Sequence, residues 1–401
     1  MKKKTSKNIT ATSSLLRNIN RSAILELIRR HSPISRSQIA ETLCMSMPTV
    51  MRIINELIEE DLVVPLDSME TTKGRPRSLI KFNAESYVVL GVDLSGPDMV
   101  GEIATLSGAI QHEVVYPYQD ADPETHVRFL LDLIYDLLKF PLRPNQHIRG
   151  IGIGAPGATI YPDGIVTWAP IFGWKDLHLR EILSNQFNLP IVVENDVKLA
   201  TLGELGFGAG VGRRNIVCIM MGVGIGAGII IDGSLYRGTN HYAGEIACMV
   251  PGIQYLGKSY DQFGPLGNLI SEIAIEDKAK EYVDLDIKNN RPRETLVESI
   301  FNAARKNQPW AKKIVDELTD YLGLMIANVV SLLDPELIIL GGILAPASDL
   351  LVEPLADRVK GIVRSVPTIV GSKLHHRAVV LGAVNIILTT TTEQTVVQRL
   401  P

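Results

Sequence analysis

The chain has 401 residues, of which 46% are hydrophobic and 21% charged, and this length favours two or three domains over one core. No apolar run reaches the roughly 18 residues of a membrane span, and the stretch MKKKTSKNITATSS lacks the apolar core of a signal peptide. Three widely separated cysteines predict a reducing, cytoplasmic location. The net charge of −4 conceals a basic segment, because residues 1–81 hold 14 Lys and Arg against 8 Asp and Glu. This asymmetry favours a polyanionic partner.

The first sixty residues carry the pattern of three helices with a tight turn between the second and the third. Apolar residues recur at helical spacing from Ile24 to Ile28, and an HSP tripeptide ends that helix. Ser35 and Gln38 predict a capping box at the start of the second helix, and Ser46 is suited to cap the third. This arrangement is typical of a helix-turn-helix.

The segment after the third helix reads as two strands around a polar loop with the sequence GRPR, which is the form of a basic wing. Polar side chains on the exposed face of the third helix can reach base edges, and wing arginines suit phosphates or a narrow minor groove. The alternative is a three-helix protein-interaction module with a solvated charged hairpin. The predicted DNA-binding residues are Ser46, Thr49, Arg52, Asn55, Arg75 and Arg77.

From about residue 85 strands alternate with helices, which indicates an α/β fold. A strand with the sequence YVVLGVDL runs into a tight turn, two further strands and a long helix follow, and IRGIGIGAPG returns to a strand and a glycine turn. The same order starts again at NIVCIMMGVGIGAGIII and continues to the strand in LLDPELIILGG. Two lobes of this kind predict a duplicated architecture with a cleft between them.

These motifs, together with IVVENDVKLATLGELGFGAG and GTNHYAGEIACM, occur in the order found in the ROK family, which the chain resembles from about residue 15 onward. That family groups sugar kinases with repressors that add a winged helix to the same body. The resemblance implies an N-terminal winged helix-turn-helix followed by a two-lobed, actin-like (ribonuclease H-like, duplicated) domain. The expected division is 1–84 for the DNA-binding domain, 85–201 for lobe 1 and 202–401 for lobe 2, with the C-terminal helix packing back on lobe 1.

The resemblance also implies a sugar site. The base of the family's kinases falls on Asp196, and Asn195 and Glu245 match residues that bind sugar hydroxyls. Without the family context, the END tripeptide reads as a helix cap instead. His241 stands where a small glycine is common, so it is a candidate ligand contact, with a surface or packing histidine as the alternative.

The nucleotide loops depart from the family's kinases. The first loop keeps Asp93 and Gly96 but has Ser95 and Pro97 where Gly and Thr are usual, and proline has no N–H to donate. The second turn is Gly222-Val223-Gly224 instead of G-T-G, and valine has no hydroxyl. Each lost donor to a charged phosphate is worth about 1.5–3 kcal/mol. We therefore expect degenerate nucleotide loops and no nucleotide cofactor.

The family's zinc ligands are also replaced. Cys248 occupies the position of the histidine, and the three cysteine positions hold Asp261, Phe263 and Asn268. Phenylalanine cannot coordinate a metal and the remaining residues are a poor set for zinc, so no metal is expected.

The sequence therefore predicts a sugar-responsive transcriptional regulator, a repressor. Its expected partners are operator DNA and a small carbohydrate, and no association with a membrane is expected. It is expected to be a homodimer or a dimer of dimers, since helix-turn-helix dimers read paired half-sites. One alternative is an active ATP-dependent sugar kinase that carries a DNA-binding domain. The other is an architectural DNA-binding protein whose body only dimerises.

Overall fold

A computed structural model describes residues 13–66, 79–117, 122–260, 263–282 and 296–397 of the chain. The first part is a winged helix-turn-helix in which the strands form an antiparallel sheet of order β1-β3-β2. Its elements are α1 (Ser13–His31), β1 (Ile34–Ser35), α2 (Arg36–Thr42), α3 (Met47–Glu59), β2 (Val63–Leu66) and β3 (Leu79–Phe82).

The helix starts in this domain are set by local side chains, as the sequence predicts. The Ser35 side chain accepts from the Gln38 backbone N–H while the Gln38 side chain accepts from the Ser35 N–H, so the capping box is confirmed. Ser46 caps α3 by accepting from the Thr49 N–H. The apolar face of α3 is fully buried against α1 and α2, and its buried residues are Val50, Ile53, Ile54 and Leu57.

Lobe 1 is built on a five-stranded sheet of order β11-β7-β4-β5-β6. Strands β4, β7 and β11 are parallel, and β5 and β6 form an antiparallel meander on β4. Three short strands, β8 to β10, form a separate antiparallel sheet. The elements are β4 (Tyr87–Asp93), β5 (Asp98–Thr105), β6 (Ile110–Pro117), α4 (Pro123–Leu138), β7 (His147–Ala155), β8 (Ala158–Ile160), β9 (Ile165–Ala169), β10 (Trp174–Leu177), α5 (Leu179–Gln186), β11 (Ile191–Asn195) and α6 (Asp196–Phe207).

Lobe 2 repeats this plan with a sheet of order β14-β13-β12-β15-β16, in which β12, β15 and β16 are parallel. The matching strand orders confirm the predicted duplication. The elements are β12 (Ile216–Met221), β13 (Ile225–Ile231), β14 (Ser234–Leu235), α7 (Gly264–Ile270), α8 (Glu272–Ala279), α9 (Leu296–Arg305), α10 (Pro309–Leu333), β15 (Leu337–Gly342), α11 (Ser348–Val359), β16 (Thr368–Gly371) and α12 (Ala378–Val397).

Helices α6 and α12 each follow the last strand of a lobe, and they cross at two glycines. A Cβ added to Gly203 would lie 2.1 Å from the Ala378 carbonyl oxygen, and one added to Gly382 would lie 1.8 Å from the Leu199 oxygen. Only glycine allows such an approach of two backbones. Helix α12 also packs across β4 and β7 of lobe 1, and α6 runs through the proposed boundary at 201/202. The two helices therefore join the lobes.

The winged helix is continuous with the body. One buried apolar cluster contains α1 residues such as Ile24 and Ile28 together with Val384 and Ile387 of α12. The Tyr87 hydroxyl on β4 donates to the Glu60 carbonyl oxygen at the end of α3. Within the described ranges, no helix combines the length and apolar character that crossing a bilayer requires.

Candidate functional site

The carboxyl ends of β4 and β11 bring two of the predicted residues to one edge of the lobe 1 sheet. Asp93 ends β4 and Asp196 directly follows β11, which is where open α/β sheets bind ligands. Burial, together with the nearby charges of Asp93 and Glu245, raises the pKa of Asp196 to about 7. Desolvation likewise raises the pKa of Glu245, an exposed residue that follows β14 in lobe 2. The structure thus collects three carboxyl groups from both lobes at one place.

The side chain of Asn195 serves as the N-cap of α6. Its Oδ1 accepts from the Lys198 backbone N–H at 3.1 Å, and its Nδ2 donates to the Gly157 oxygen at 2.9 Å and to Asp196 Oδ1 at 2.8 Å. Both amide protons are therefore bonded within the protein. The cap that the END tripeptide predicts is present, and a sugar contact by Asn195 would use the second lone pair of Oδ1.

The first nucleotide loop directs its backbone donors inward. The Leu94 N–H donates to the Gly154 oxygen, and the Ser95 N–H donates to Asp93 Oδ1 at 2.8 Å. Pro97 has no N–H and is exposed at the rim of the loop. In a phosphate-binding loop, successive N–H groups point at the anion instead. In this loop the Leu94 and Ser95 N–H groups are used within the protein.

The second turn, Gly222-Val223-Gly224, links β12 to β13. The Gly222 N–H donates to the Gly224 oxygen at 2.8 Å, and the Gly222 oxygen accepts from the Glu272 N–H. Nothing lies within 4 Å of a Cβ built on Gly222 or Gly224, so the turn is open. The two glycines have no side chain, and that of Val223 offers no hydroxyl to a phosphate.

Two cations at this edge were missed by sequence reasoning, namely Lys198 on the first turn of α6 and Arg237 after β14. Arg237 Nε lies 2.7 Å from Oε2 of Glu194, whose side chain is 0% exposed, and its guanidinium lies 4.0 Å from the centre of the Tyr161 ring. Lys198 Nζ donates to the His241 carbonyl oxygen at 2.5 Å. A signal for Lys198 exists in the sequence, because a lysine in the first turn of a helix opposes the helix dipole.

His241 lies in the loop that carries Glu245, and its backbone is left-handed with φ of 63°. This explains why a glycine is common at that position. Its Nδ1 is buried without a hydrogen-bond partner among the described residues. The structure places His241 beside Lys198 through its carbonyl oxygen, so a contact between its ring and a ligand stays a prediction.

The predicted DNA-binding residues of the winged helix that the structure describes lie at the start and on one side of α3. Arg52 and Asn55 are exposed, Thr49 is half-buried, and the Ser46 hydroxyl lies 2.9 Å from that of Thr49. Arg75 and Arg77 of the wing lie outside the described residues.

The replaced zinc motif is described in part, since Asp261 lies outside the described residues. Among residues that the structure describes, no group of three or more His, Cys, Asp or Glu is arranged to hold a metal ion.

The comparisons with known proteins agree with this architecture. The ROK family model matches residues 89–390, and a winged helix-turn-helix DNA-binding model matches residues 17–64. The xylose repressor of Caldicellulosiruptor bescii is 30% identical over 94% of this chain and 96% of its own length.

Two solved structures extend the likeness to three dimensions. A ROK family transcriptional regulator, a homologue of the E. coli MLC protein, superposes with a TM-score of 0.79 at 25% identity over 94% of this chain and 97% of its own. The ROK family glucokinase of Streptomyces griseus, in complex with glucose and AMPPNP, gives 0.61 at 26% identity over 75% and 98%. The chain therefore belongs to the ROK family and joins its two-lobed body to an N-terminal winged helix-turn-helix.

Proposed function

We propose that this chain is a sugar-responsive transcriptional repressor, whose winged helix binds operator DNA and whose cleft binds a carbohydrate. The observation that carries the proposal is the course of α6. The helix begins at Asn195 and Asp196, and its last residue, Phe207, lies against the winged helix, with the Arg29 guanidinium of α1 5.4 Å from the ring centre. One helix thus spans the distance from the candidate sugar site to the DNA-binding domain.

This arrangement supports reciprocal coupling between sugar and DNA. A ligand that moves the first turn of α6 also moves Phe207, because a 12-residue helix behaves as a rigid element. The effect of sugar on DNA affinity then equals the effect of DNA on sugar affinity. The names of the relatives support the same role, since one is a xylose repressor and another an N-acetylglucosamine repressor of E. coli. We propose a homodimer or a dimer of dimers as the DNA-binding form.

The proposed DNA contacts are Ser46, Thr49, Arg52 and Asn55 of α3 with Arg75 and Arg77 of the wing. The proposed sugar contacts are Asp196, Glu245, Asn195 and His241. Asp196 Oδ1 already accepts from the Val197 N–H at 2.8 Å, so its Oδ2 is the oxygen that a sugar hydroxyl would reach.

A sugar kinase is the second candidate, and one observation favours it. Asp196 has a pKa of about 7, which suits a general base for a sugar hydroxyl. Against it stand the two nucleotide loops, whose loss of two or three donors would weaken nucleotide binding roughly a thousandfold. The residues of these loops fit ATP poorly, so we derive no phosphoryl-transfer step.

Thermal unfolding against a panel of monosaccharides and disaccharides, each with and without Mg-ATP, separates the two candidates. A ligand at a hundred times its dissociation constant adds about 2.7 kcal/mol of stability. The repressor is supported by a sugar that stabilises the protein alone, without ADP formation, and that changes the protein's affinity for DNA from its own promoter region. Stabilisation that requires ATP, or ADP formed with one sugar, would establish the kinase.

A further inference from the structure

The Lys198 side chain is buried at the centre of the candidate sugar site. The residue is 3% exposed although it carries an ammonium group, and lysine is almost never buried to this degree without partners. It projects from the first turn of α6, three residues after the Asn195 cap, toward the loop of lobe 2 that carries His241 and Glu245. Neither the sequence motifs nor the proposed contacts above assign it a role.

Acidic side chains outnumber basic ones around Lys198. The carboxylates that act on its ammonium are those of Glu194, Glu245 and Asp196. Glu194 is already engaged, because Oε2 accepts from Arg237 and Oε1 accepts from the Asn195 N–H at 2.9 Å. Glu245 and Asp196 are therefore the carboxylates left to face Lys198. Together with Asp93, which acts on Asp196, the site holds four acidic side chains and two basic ones, Lys198 and Arg237.

Within the described residues, both the Lys198 ammonium and the carboxyl groups that face it have hydrogen-bonding positions that are not used. An ammonium has three N–H donors, and the one bond from Nζ goes to the His241 carbonyl oxygen. Across the described residues, no side chain or backbone group supplies an acceptor for the other two. Likewise, neither the Glu245 carboxylate nor Asp196 Oδ2 receives a hydrogen bond from another described residue. Lys198 is buried, and buried donors are rarely left unused, whereas Glu245 is exposed and Asp196 is half-buried, so both carboxyl groups are open to a ligand or water.

We infer that Lys198 is a ligand-contacting, specificity-determining residue of the effector site, and that the site takes a neutral sugar with adjacent hydroxyls. One hydroxyl donates to Asp196 or Glu245, and the oxygen of its neighbour accepts from Lys198. A hydroxyl both donates and accepts, so a pair of them satisfies the ammonium and a carboxylate together. A sugar acid or sugar phosphate would bring a further acidic group into a site where acidic side chains already outnumber basic ones. The inference rests on the proposed function.

Titration calorimetry with matched neutral and charged sugars tests this inference. The neutral probes are D-xylose, D-glucose and N-acetyl-D-glucosamine, and the charged probes are D-glucuronate and N-acetyl-D-glucosamine 6-phosphate. We expect one neutral sugar to bind and its charged counterpart to bind at least about tenfold more weakly. Lys198→Met should weaken the neutral sugar by about 10- to 150-fold, the factor for losing one charged hydrogen bond.

Two further variants keep the result interpretable. Lys198→Arg retains the charge and should lose less affinity than Lys198→Met, whereas Lys175→Met, at an exposed position on β10, should bind as the wild type does. Circular dichroism and the melting temperature establish that each variant is folded. Wild-type affinity in a folded Lys198→Met protein would overturn the role of Lys198. Tighter binding of a charged sugar would overturn the ligand class but leave a sugar-responsive repressor. Binding of no carbohydrate would overturn the proposed effector together with this inference.

Discussion

Removing Arg237 from its ion pair should destabilise the protein more than removing the charge of its partner, Glu194. The pair joins β11 of lobe 1 to the loop after β14 of lobe 2, with Nε and Oε2 2.7 Å apart. The two side chains differ in exposure, since that of Glu194 is 0% exposed and that of Arg237 is 21% exposed. Substituting Arg237 therefore leaves a fully buried carboxylate without its partner, whereas substituting Glu194 leaves a partly exposed guanidinium.

The magnitudes follow from this difference. Arg237→Met leaves an ionised carboxylate fully buried with one remaining donor, the Asn195 N–H. Breaking a buried pair in this way costs about 3–5 kcal/mol. Glu194→Gln retains an acceptor for that N–H, and the guanidinium left behind keeps its contact with water and with the Tyr161 ring. Its cost is nearer that of one charged hydrogen bond, about 1.5–3 kcal/mol.

Urea unfolding followed by fluorescence of the three tryptophans, which lie in both lobes, measures these differences. The control is Arg214→Met, since the Arg214–Asp232 pair is 3.5 Å apart with both side chains at least 70% exposed. An exposed pair of this kind is worth about 0–1 kcal/mol. The reasoning is refuted if Glu194→Gln destabilises the protein more than Arg237→Met, or if Arg237→Met resembles the control.

Three further predictions concern pH, DNA and coupling. Burial, and then the charge of Glu113, raise the pKa of Glu102 from 4.5 to about 7, so the stability that this group contributes is complete below pH 4.5 and lost as the pH rises to about 7. Wild type should therefore lose stability relative to Glu102→Gln across that range in melting experiments, and parallel curves would contradict this. Arg52→Ala should cost about 1–3 kcal/mol at one base position in binding to operator variants, whereas equal losses on all sequences would argue against α3 as the recognition helix. Phe207→Leu should leave sugar and DNA affinities near their wild-type values when each is measured alone but reduce the change in DNA affinity caused by sugar. An unchanged coupling would exclude the contact with Arg29 as the route.

The sequence by itself determined the local elements and the family. The capping serines Ser35 and Ser46 define helix starts through bonds to residues three positions away, so they are readable without a fold. The long helix α4 and the repeated strand–glycine–strand units were predictable for the same reason, because periodicity and turn chemistry are local. The order of the motifs then identified the ROK body and implied Asp196 and Glu245 as site residues.

Only the tertiary structure decided how the charges of the site are arranged. Glu194 and Arg237 are 43 residues apart, as are Lys198 and His241, and no local pattern indicates that they meet. It likewise revealed that the Asn195 amide protons are already bonded. The physical reason is that burial and electrostatic environment depend on segments distant in the chain. The sequence therefore indicated a candidate sugar site, and the fold showed which of its polar groups are already hydrogen-bonded within the described residues.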